Sequence, residues 1–274
     1  MRVFITGDKH SQFSKMLHNL DGLLNSDTMV IVLGDVGVNF WLNKKDDRLK
    51  QELNNVGCLW YLVHGNHEAR PEDIEGAHLI DDPNVQGEVW IEDAYPNIRY
   101  FKMFGEYVIN GYKVAVIGGA YSVDKWYRLA RAGVVDKEDP NYYNPKKTFW
   151  FPNEQLTMEE MNEAAALFEG KHYDFLFSHT CPLRYQPTDL FLGMVDQESV
   201  DNSMERWMDK LIEKAKFDII CFGHYHTDRL ERPHVEMYYN DVEDLDDIKN
   251  RWYRYDTLGE LDWWLNKSLQ FYMT

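Results

Sequence analysis

Cysteine is scarce in this chain, and its three copies, Cys58, Cys181 and Cys221, are odd in number and widely spaced among 274 residues. That excludes a disulfide framework and a Cys-x-x-Cys metal clip. Thiols in or beside apolar runs are expected to act as small buried hydrophobes. Long hydrophobic runs are absent too: none approaches the roughly 18 residues a membrane helix needs. The opening MRVFITGD turns from a short apolar run straight into Gly-Asp, too soon for a signal peptide. A cytoplasmic protein with no membrane partner is expected. Positive charge is outweighed, with 29 Lys and Arg against 46 Asp and Glu and a formal charge of −17. The basic stripe of a duplex binder is missing, which disfavours long duplex nucleic acid. Carboxylates in this number have another use, since clusters of them hold divalent cations.

What is present is a recurrence of apolar runs with helical stretches between them. RVFITGD (2–8), MVIVLGD (29–35), CLWYLVHGN (58–66), KVAVIGGAY (113–121), YDFLFSH (173–179) and FDIICFGHYH (217–226) read as buried strands. Residues 11–25 carry apolar side chains at helical spacing, and helices are also expected over 41–54 and 199–216. Thr157 and Glu160 have the form of a capping box, opening a helix to about residue 168. Strands alternate with helices and then cluster, which predicts an α/β layered domain with two central sheets. No repeat or low-complexity linker appears. The expected organisation is one domain over 1–240, with 241–274 as a C-terminal extension packed on it.

Ligand-type residues stand where the apolar runs stop. GDKH supplies Asp8 and His10, LGDVG supplies Asp35, HGNHE supplies Asn66 and His67, FSHT supplies His179, and FGHYH supplies His224 and His226. Open α/β sheets bind ligands beyond the carboxyl ends of their strands, so five distant segments can meet in one place. On a strand, residues i and i+2 share a side; Asp8 with His10, and His224 with His226, are expected to face one pocket on that ground. Glycines before the motifs (Gly7, Gly34, Gly65 and Gly223) permit close backbone approach. A mixed set of oxygens and imidazoles suits Mn, Fe, Zn or Ni better than Ca or Mg. Seven such ligands are too many for one transition ion and fit two that share a carboxylate, the arrangement that clamps phosphoester displacement.

In this order, D-x-H, G-D, G-N-H-E, a lone later His and G-H-x-H resemble the calcineurin-like metallophosphoesterase family over about residues 1–230. The resemblance implies a two-sheet β-sandwich flanked by helices. It implies that Asp8, His10 and His226 hold one divalent transition metal ion, that Asn66, His179 and His224 hold a second, and that Asp35 bridges them, with manganese the first expectation. A hydroxide shared by both ions would attack phosphorus in line, and His67 would face the leaving oxygen. The chain departs from the pattern in motif two. The family's G-D-x-x-D is Gly34-Asp35-Val36-Gly37-Val38 here, so the acid that in some members pairs with the motif-three histidine is missing. The Arg of the protein-phosphatase form is missing too.

Arg70 and Arg128 lie close in sequence to these motifs, and arginine suits bidentate phosphate recognition; both are expected to contact substrate. His64 reads as supporting or structural, and His18, His78, His172 and His234 as ordinary. DVEDLDD (241–247) reads as a solvated loop. The expected activity is hydrolysis of a phosphate ester that is small or loosely held, by a phosphatase or phosphodiesterase. Rival readings are a protein Ser/Thr phosphatase, a nuclease on ends or single strands, and a non-catalytic metal-containing binding module. The oligomeric state and the role of the aromatic tail from Trp252 to Tyr272 are not legible in the sequence.

Overall fold

The computed structural model describes residues 1–193 and 195–258. One sheet holds β1 (Arg2–Thr6), β2 (Thr28–Val32), β3 (Leu59–Leu62), β4 (Ala77–Asp82), β5 (Gly87–Glu92) and β6 (Ile98–Phe101). The other holds β7 (Phe104–Ile109), β8 (Tyr112–Ile117), β9 (His172–Ser178), β10 (Lys216–Phe222), β11 (Arg229–Arg232) and β12 (Val235–Met237), after which β13 (Val242–Asp244) returns to the first. The orders are β13-β1-β2-β3-β6-β5-β4 and β11-β12-β10-β9-β8-β7. The helices are α1 (Ser14–Asn19), α2 (Lys44–Asn54), α3 (Lys125–Arg131), α4 (Pro145–Thr148), α5 (Met158–Phe168), α6 (Ser203–Lys214) and α7 (Leu245–Leu258). This is a mixed α/β fold with two multi-stranded sheets flanked by helices.

The central strands of both sheets are parallel and covered on both faces, which is why they read as unbroken apolar runs. Their alternate side chains serve different layers. Val3 and Ile5 of β1 meet Ile219 and Cys221 of β10 in the core between the sheets. Phe4 of β1 packs outward with Met16 of α1 and Leu53 of α2. Ile220 and Phe222 of β10 pack outward under Met161 of α5 and Met208 of α6. All three cysteines are free and buried, as small hydrophobes in a core should be.

The capping box at Thr157 and Glu160 is formed reciprocally. Two local expectations are corrected. The first helix has six residues rather than the span 11–25, because the chain turns after Leu20 and Gly22 takes φ +74°. DVEDLDD is not a solvated loop: its front half is the edge strand β13, antiparallel to β1, and Asp246 and Asp247 sit in the first turn of α7, where the helix dipole favours negative charge. Leu245, Ile248 and Trp252 of α7 join the core between the sheets. Trp263, Trp264, Phe271 and Tyr272 lie outside the described residues. Among the described residues no helix is long and apolar enough to cross a membrane.

Candidate metal centre

The carboxyl ends of β1, β2, β3, β9 and β10 deliver the five motifs to one edge of the sandwich. They are not delivered by strand alternation. β1 stops at Thr6 and β10 at Phe222, so both pairs, Asp8 with His10 and His224 with His226, lie on loops. His10, Asp35, His224 and His226 have φ of 43°, 47°, 68° and 53°, a left-handed conformation that non-glycine residues adopt at a cost and that concentrates at functional sites.

Backbone donors stitch these loops together. The N–H groups of Lys9 and His10 donate to the Asp35 carbonyl at 3.1 and 2.8 Å. His224 N–H donates to Asp8 Oδ1 at 2.8 Å, and His67 N–H donates to Asp35 Oδ1 at 2.8 Å. One oxygen of each buried aspartate is thereby fixed and the other is turned toward the histidines. The glycines make this closeness possible. A Cβ on Gly34 would stand 2.1 Å from His179 Nδ1, and one on Gly223 would stand 2.2 Å from Asp8 Oδ1.

Asp8, His10, Asp35 and His226 each present one donor atom, all within 4.8 Å of one another. His226 Nε2 is 3.2 Å from Asp8 Oδ2 and 2.9 Å from His10 Nε2, and His10 Nε2 is 3.7 Å from Asp35 Oδ2. The Asp8 contact raises the pKa of His226. Across Asp35, His179 Nε2 is 2.8 Å from Asn66 Oδ1 and 3.6 Å from Asp35 Oδ1, and the His224 ring centroid is 5.1 Å from that of His179. Burial pushes the pKa of His224 down to about 3. Burial would raise the Asp35 carboxyl, but His67, His179 and His10 outweigh it and hold it below the usual carboxylate range.

The proton positions on the Asn66 side test whether a cation fits. His179 Nδ1 is 2.8 Å from the Leu33 carbonyl. A carbonyl only accepts, so Nδ1 carries a proton and Nε2 is the nitrogen turned toward Asn66 and Asp35. Asn66 Nδ2 donates to Ser122 Oγ at 2.8 Å, and Ser122 Oγ donates to Glu154 Oε2 at 2.6 Å. That chain turns Asn66 Oδ1 toward His179 Nε2, so an amide oxygen and a ring nitrogen, both able to ligate a cation, stand 2.8 Å apart. On the other side, Asp8 Oδ2 is buried and makes no hydrogen bond of good geometry among the described residues, its close neighbour being His226 Nε2 at 3.2 Å. Crowded ligand atoms of this kind fit divalent cations, and the bonds from His179 Nδ1 to the Leu33 carbonyl and from Asn66 to Ser122 are of the type that orient metal-ligating side chains.

His67 lies at the same edge, with Nε2 3.9 Å from Asp35 Oδ2. Burial lowers its pKa, opposed by Asp35. Its Nδ1 is buried without a described partner, and position 38, where the family pattern has an acid, is a buried valine. Of the two arginines, Arg70 is corrected from a substrate contact to a structural clamp. It is 5% exposed and donates to the carbonyls of Asn153 and Gln155 and to both carboxylate oxygens of Glu160. Arg128 donates to Asp124 Oδ2 and the Phe149 carbonyl, close enough to His67 to lower its pKa. His64 is buried and structural, its carbonyl accepting from Gly119 N–H.

Sequence reading missed the supports. Ser122 and Glu154 orient Asn66 but belong to no spaced motif. Glu68, inside G-N-H-E, is buried and accepts from Gly65 N–H at 2.8 Å; burial pushes its carboxyl up to about 8. Tyr239 stacks on His226 with ring centroids 5.0 Å apart, and Lys9 Nζ donates to its carbonyl. Tyr239→Ala removes that stack, worth about 0.5–1.5 kcal/mol. We expect the affinity of the Asp8–His10–His226 position to fall roughly two- to tenfold in a chelator-competed metal titration; an unchanged isotherm would mean that the ring is not held this way.

Glu205, beside the site, is 3% exposed and accepts from Thr180 Oγ1 at 2.8 Å. Burial raises its carboxyl from 4.5 to about 7. Between those values the folded state keeps a proton that the unfolded chain has lost, so stability falls as pH rises through that window. Glu205→Gln escapes this. In metal-free protein the variant is expected to gain on wild type between pH 4 and pH 8, by at most roughly 3 kcal/mol at about 1.4 kcal/mol per pKa unit. Unfolding curves at both pH values check it, and a difference independent of pH would contradict it.

A sequence profile of calcineurin-like phosphoesterases matches residues 1–228. No curated protein sequence matches. Among solved structures, a phosphopantetheinyl hydrolase from Mycobacterium tuberculosis is similar at 17% identity and TM-score 0.42, over 87% of this chain and 88% of that one. A protein serine/threonine phosphatase from Saccharomyces cerevisiae is similar at 12% identity and TM-score 0.34, over 87% of this chain and 67% of that one. The profile match takes in every strand end that carries a donor and closes just past His226, and the chain belongs to the calcineurin-like phosphoesterase family.

Proposed function

We propose that the protein hydrolyses phosphate esters with the help of two divalent transition metal ions. The observation that carries this reading is the pair of donor groups on either side of Asp35: Asp8, His10 and His226 within reach of one Asp35 oxygen, and His179 with Asn66 beside the other. Asp8, His10 and His226 would hold one ion, and Asn66, His179 and His224 the other, with Asp35 between them. The mixed oxygen and nitrogen donors suit manganese, and equally iron, zinc or nickel. When bound, such a pair supplies Lewis acidity and a nucleophile from water at neutral pH.

The chain's own residues do the rest. Asp8 and Asp35, both buried, set the charge of the site, and their backbone bonds hold the donors in place before any ion arrives. His67, lining the cavity beside Asp35, would face the position of a leaving oxygen. Arg128 adds fixed positive charge near that ring. The reading is tested by stripping the protein with chelator, restoring Mn, Fe, Zn or Ni singly, and assaying an aryl phosphomonoester and an aryl phosphodiester. Activity that returns with metal supports it. Metal uptake with silence toward both esters identifies a binding module instead, and arms with a phosphopeptide and short single-stranded DNA separate the phosphatase and nuclease rivals.

A further inference from the structure

The donors open into a cavity of about 360 Å³, within the range of small-ligand sites. Asp35, Asn66, His67, His224 and His226 form one wall. Much of the remaining lining is apolar, supplied by Tyr121, Val123, Leu190, Phe191, Leu192 and Val195, with polar side chains that include Asp124 and Glu205 among them. Three of these are unusually open for large hydrophobic side chains, Val123 at 41%, Leu190 at 38% and Leu192 at 56%. Apolar surface held open against a polar reaction centre is stabilised when a ligand covers it. Equally telling is what the cavity lacks. None of the described residues that line it is a lysine or an arginine. Arg128 does not line it, and its guanidinium is engaged by Asp124 and Phe149. A second phosphate or a carboxylate on the substrate would therefore enter without a cationic side chain to meet it, in a protein of formal charge −17.

Resting on the reading that this is a phosphoesterase, we propose that the site takes esters carrying a single phosphoryl group on an uncharged, apolar alcohol, with the organic group seated against Val123, Leu190, Phe191, Leu192 and Val195. The metal ions would meet the phosphoryl group and these side chains would meet the alcohol. Hydrolysis breaks the bond from phosphorus to the ester oxygen and forms one from phosphorus to the oxygen of water, and a proton of that water ends on the released alcohol. Nucleoside polyphosphates and phosphopeptides, which bring further charge, are poor ligands on this view.

The test reads binding first. The n-alkylphosphonates from methyl to hexyl carry a P–C bond that cannot be hydrolysed, and their affinities for the manganese-loaded protein are measured by calorimetry. Burial of one methylene is worth roughly a fourfold gain at full burial, and on this half-open apolar lining a gain of about two- to fourfold per methylene is expected. Phe191→Ser and Val123→Ser should each flatten that slope. Phosphonoacetate, with its added carboxylate, should bind more weakly than ethylphosphonate. A flat series in wild type, an unchanged slope in both variants, or tighter binding of phosphonoacetate overturns the proposal. Turnover of the matching n-alkyl phosphates, compared with ATP and a phosphoserine peptide, separates the two levels. Ester turnover with a flat affinity series leaves the phosphoesterase reading standing and removes this one. A steep affinity series without turnover of any ester leaves an apolar anion-binding pocket and removes the phosphoesterase reading.

Discussion

Asp35→Asn is expected to cost the protein both of the metal ions proposed for it at once and, with them, the proposed phosphoesterase activity. The substitution is nearly isosteric. The asparagine carbonyl can still accept the His67 N–H that Asp35 Oδ1 accepts at 2.8 Å, and the Asp35 main-chain carbonyl still receives Lys9 and His10. What goes is the charge that three histidines surround, with His10 Nε2 at 3.7 Å, His67 Nε2 at 3.9 Å and His179 Nε2 at 3.6 Å. Losing a supporting partner of a metal ligand typically costs about 10- to 100-fold in affinity, and loss of a ligand shared by two ions is expected to exceed that at each. Metal content after gel filtration, measured by elemental analysis, should fall from two equivalents toward none, while the metal-free variant melts within a few degrees of metal-free wild type. A variant that still carries two equivalents would remove Asp35 from its bridging role.

His67→Ala is the second large effect and acts differently. Both metal equivalents should remain, because His67 is not in either donor group. Turnover of an alkyl phosphate should fall by roughly 10²- to 10⁴-fold, the range for loss of a general acid. The departure of this chain from its family at position 38 makes the outcome informative. Val38 is buried where the pattern has a carboxylate, His67 Nδ1 has no described partner, and burial lowers the pKa of the ring. An imidazole N–H can hand a proton to an alkoxide leaving group, whereas an aryl oxide leaves without one. The loss should therefore be much smaller for a nitrophenyl ester than for an alkyl ester. Equal losses for both esters would assign His67 an electrostatic role, and no loss for either would remove it from the chemistry.

These predictions rest on features of unequal legibility. The identities of the donors were readable, because each stands just after an apolar run and often beside a glycine, and strand ends are where such folds bind ligands. Their aim was not readable. The expected alternation of His224 and His226 along a strand fails because β10 ends at Phe222, and it is the left-handed backbone of the loop that turns the two rings. Arg70 shows the same limit. Its nearness to the G-N-H-E motif suggested substrate, yet its partner Glu160 lies 90 positions further along, a pairing that no local pattern encodes. Glu154 reaches Asn66 only through Ser122. Most of the apolar lining of the cavity comes from short turns within residues 186–193 and 195–200, which have neither helical nor strand periodicity and so leave no signal. The layered fold was legible because parallel strands buried on both faces leave a continuous apolar signature, whereas α1 was overread because the apolar spacing continues through Leu23 and Leu24 after the backbone has turned.

The central claim is that two cations sit on either side of Asp35. Anomalous scattering from a crystal of manganese-loaded protein locates them directly. The account predicts two peaks roughly 3.5–4 Å apart, one among Asp8, His10 and His226 and one among Asn66, His179 and His224, with the Asp35 carboxylate touching both. A single peak, or two that do not share Asp35, would contradict it.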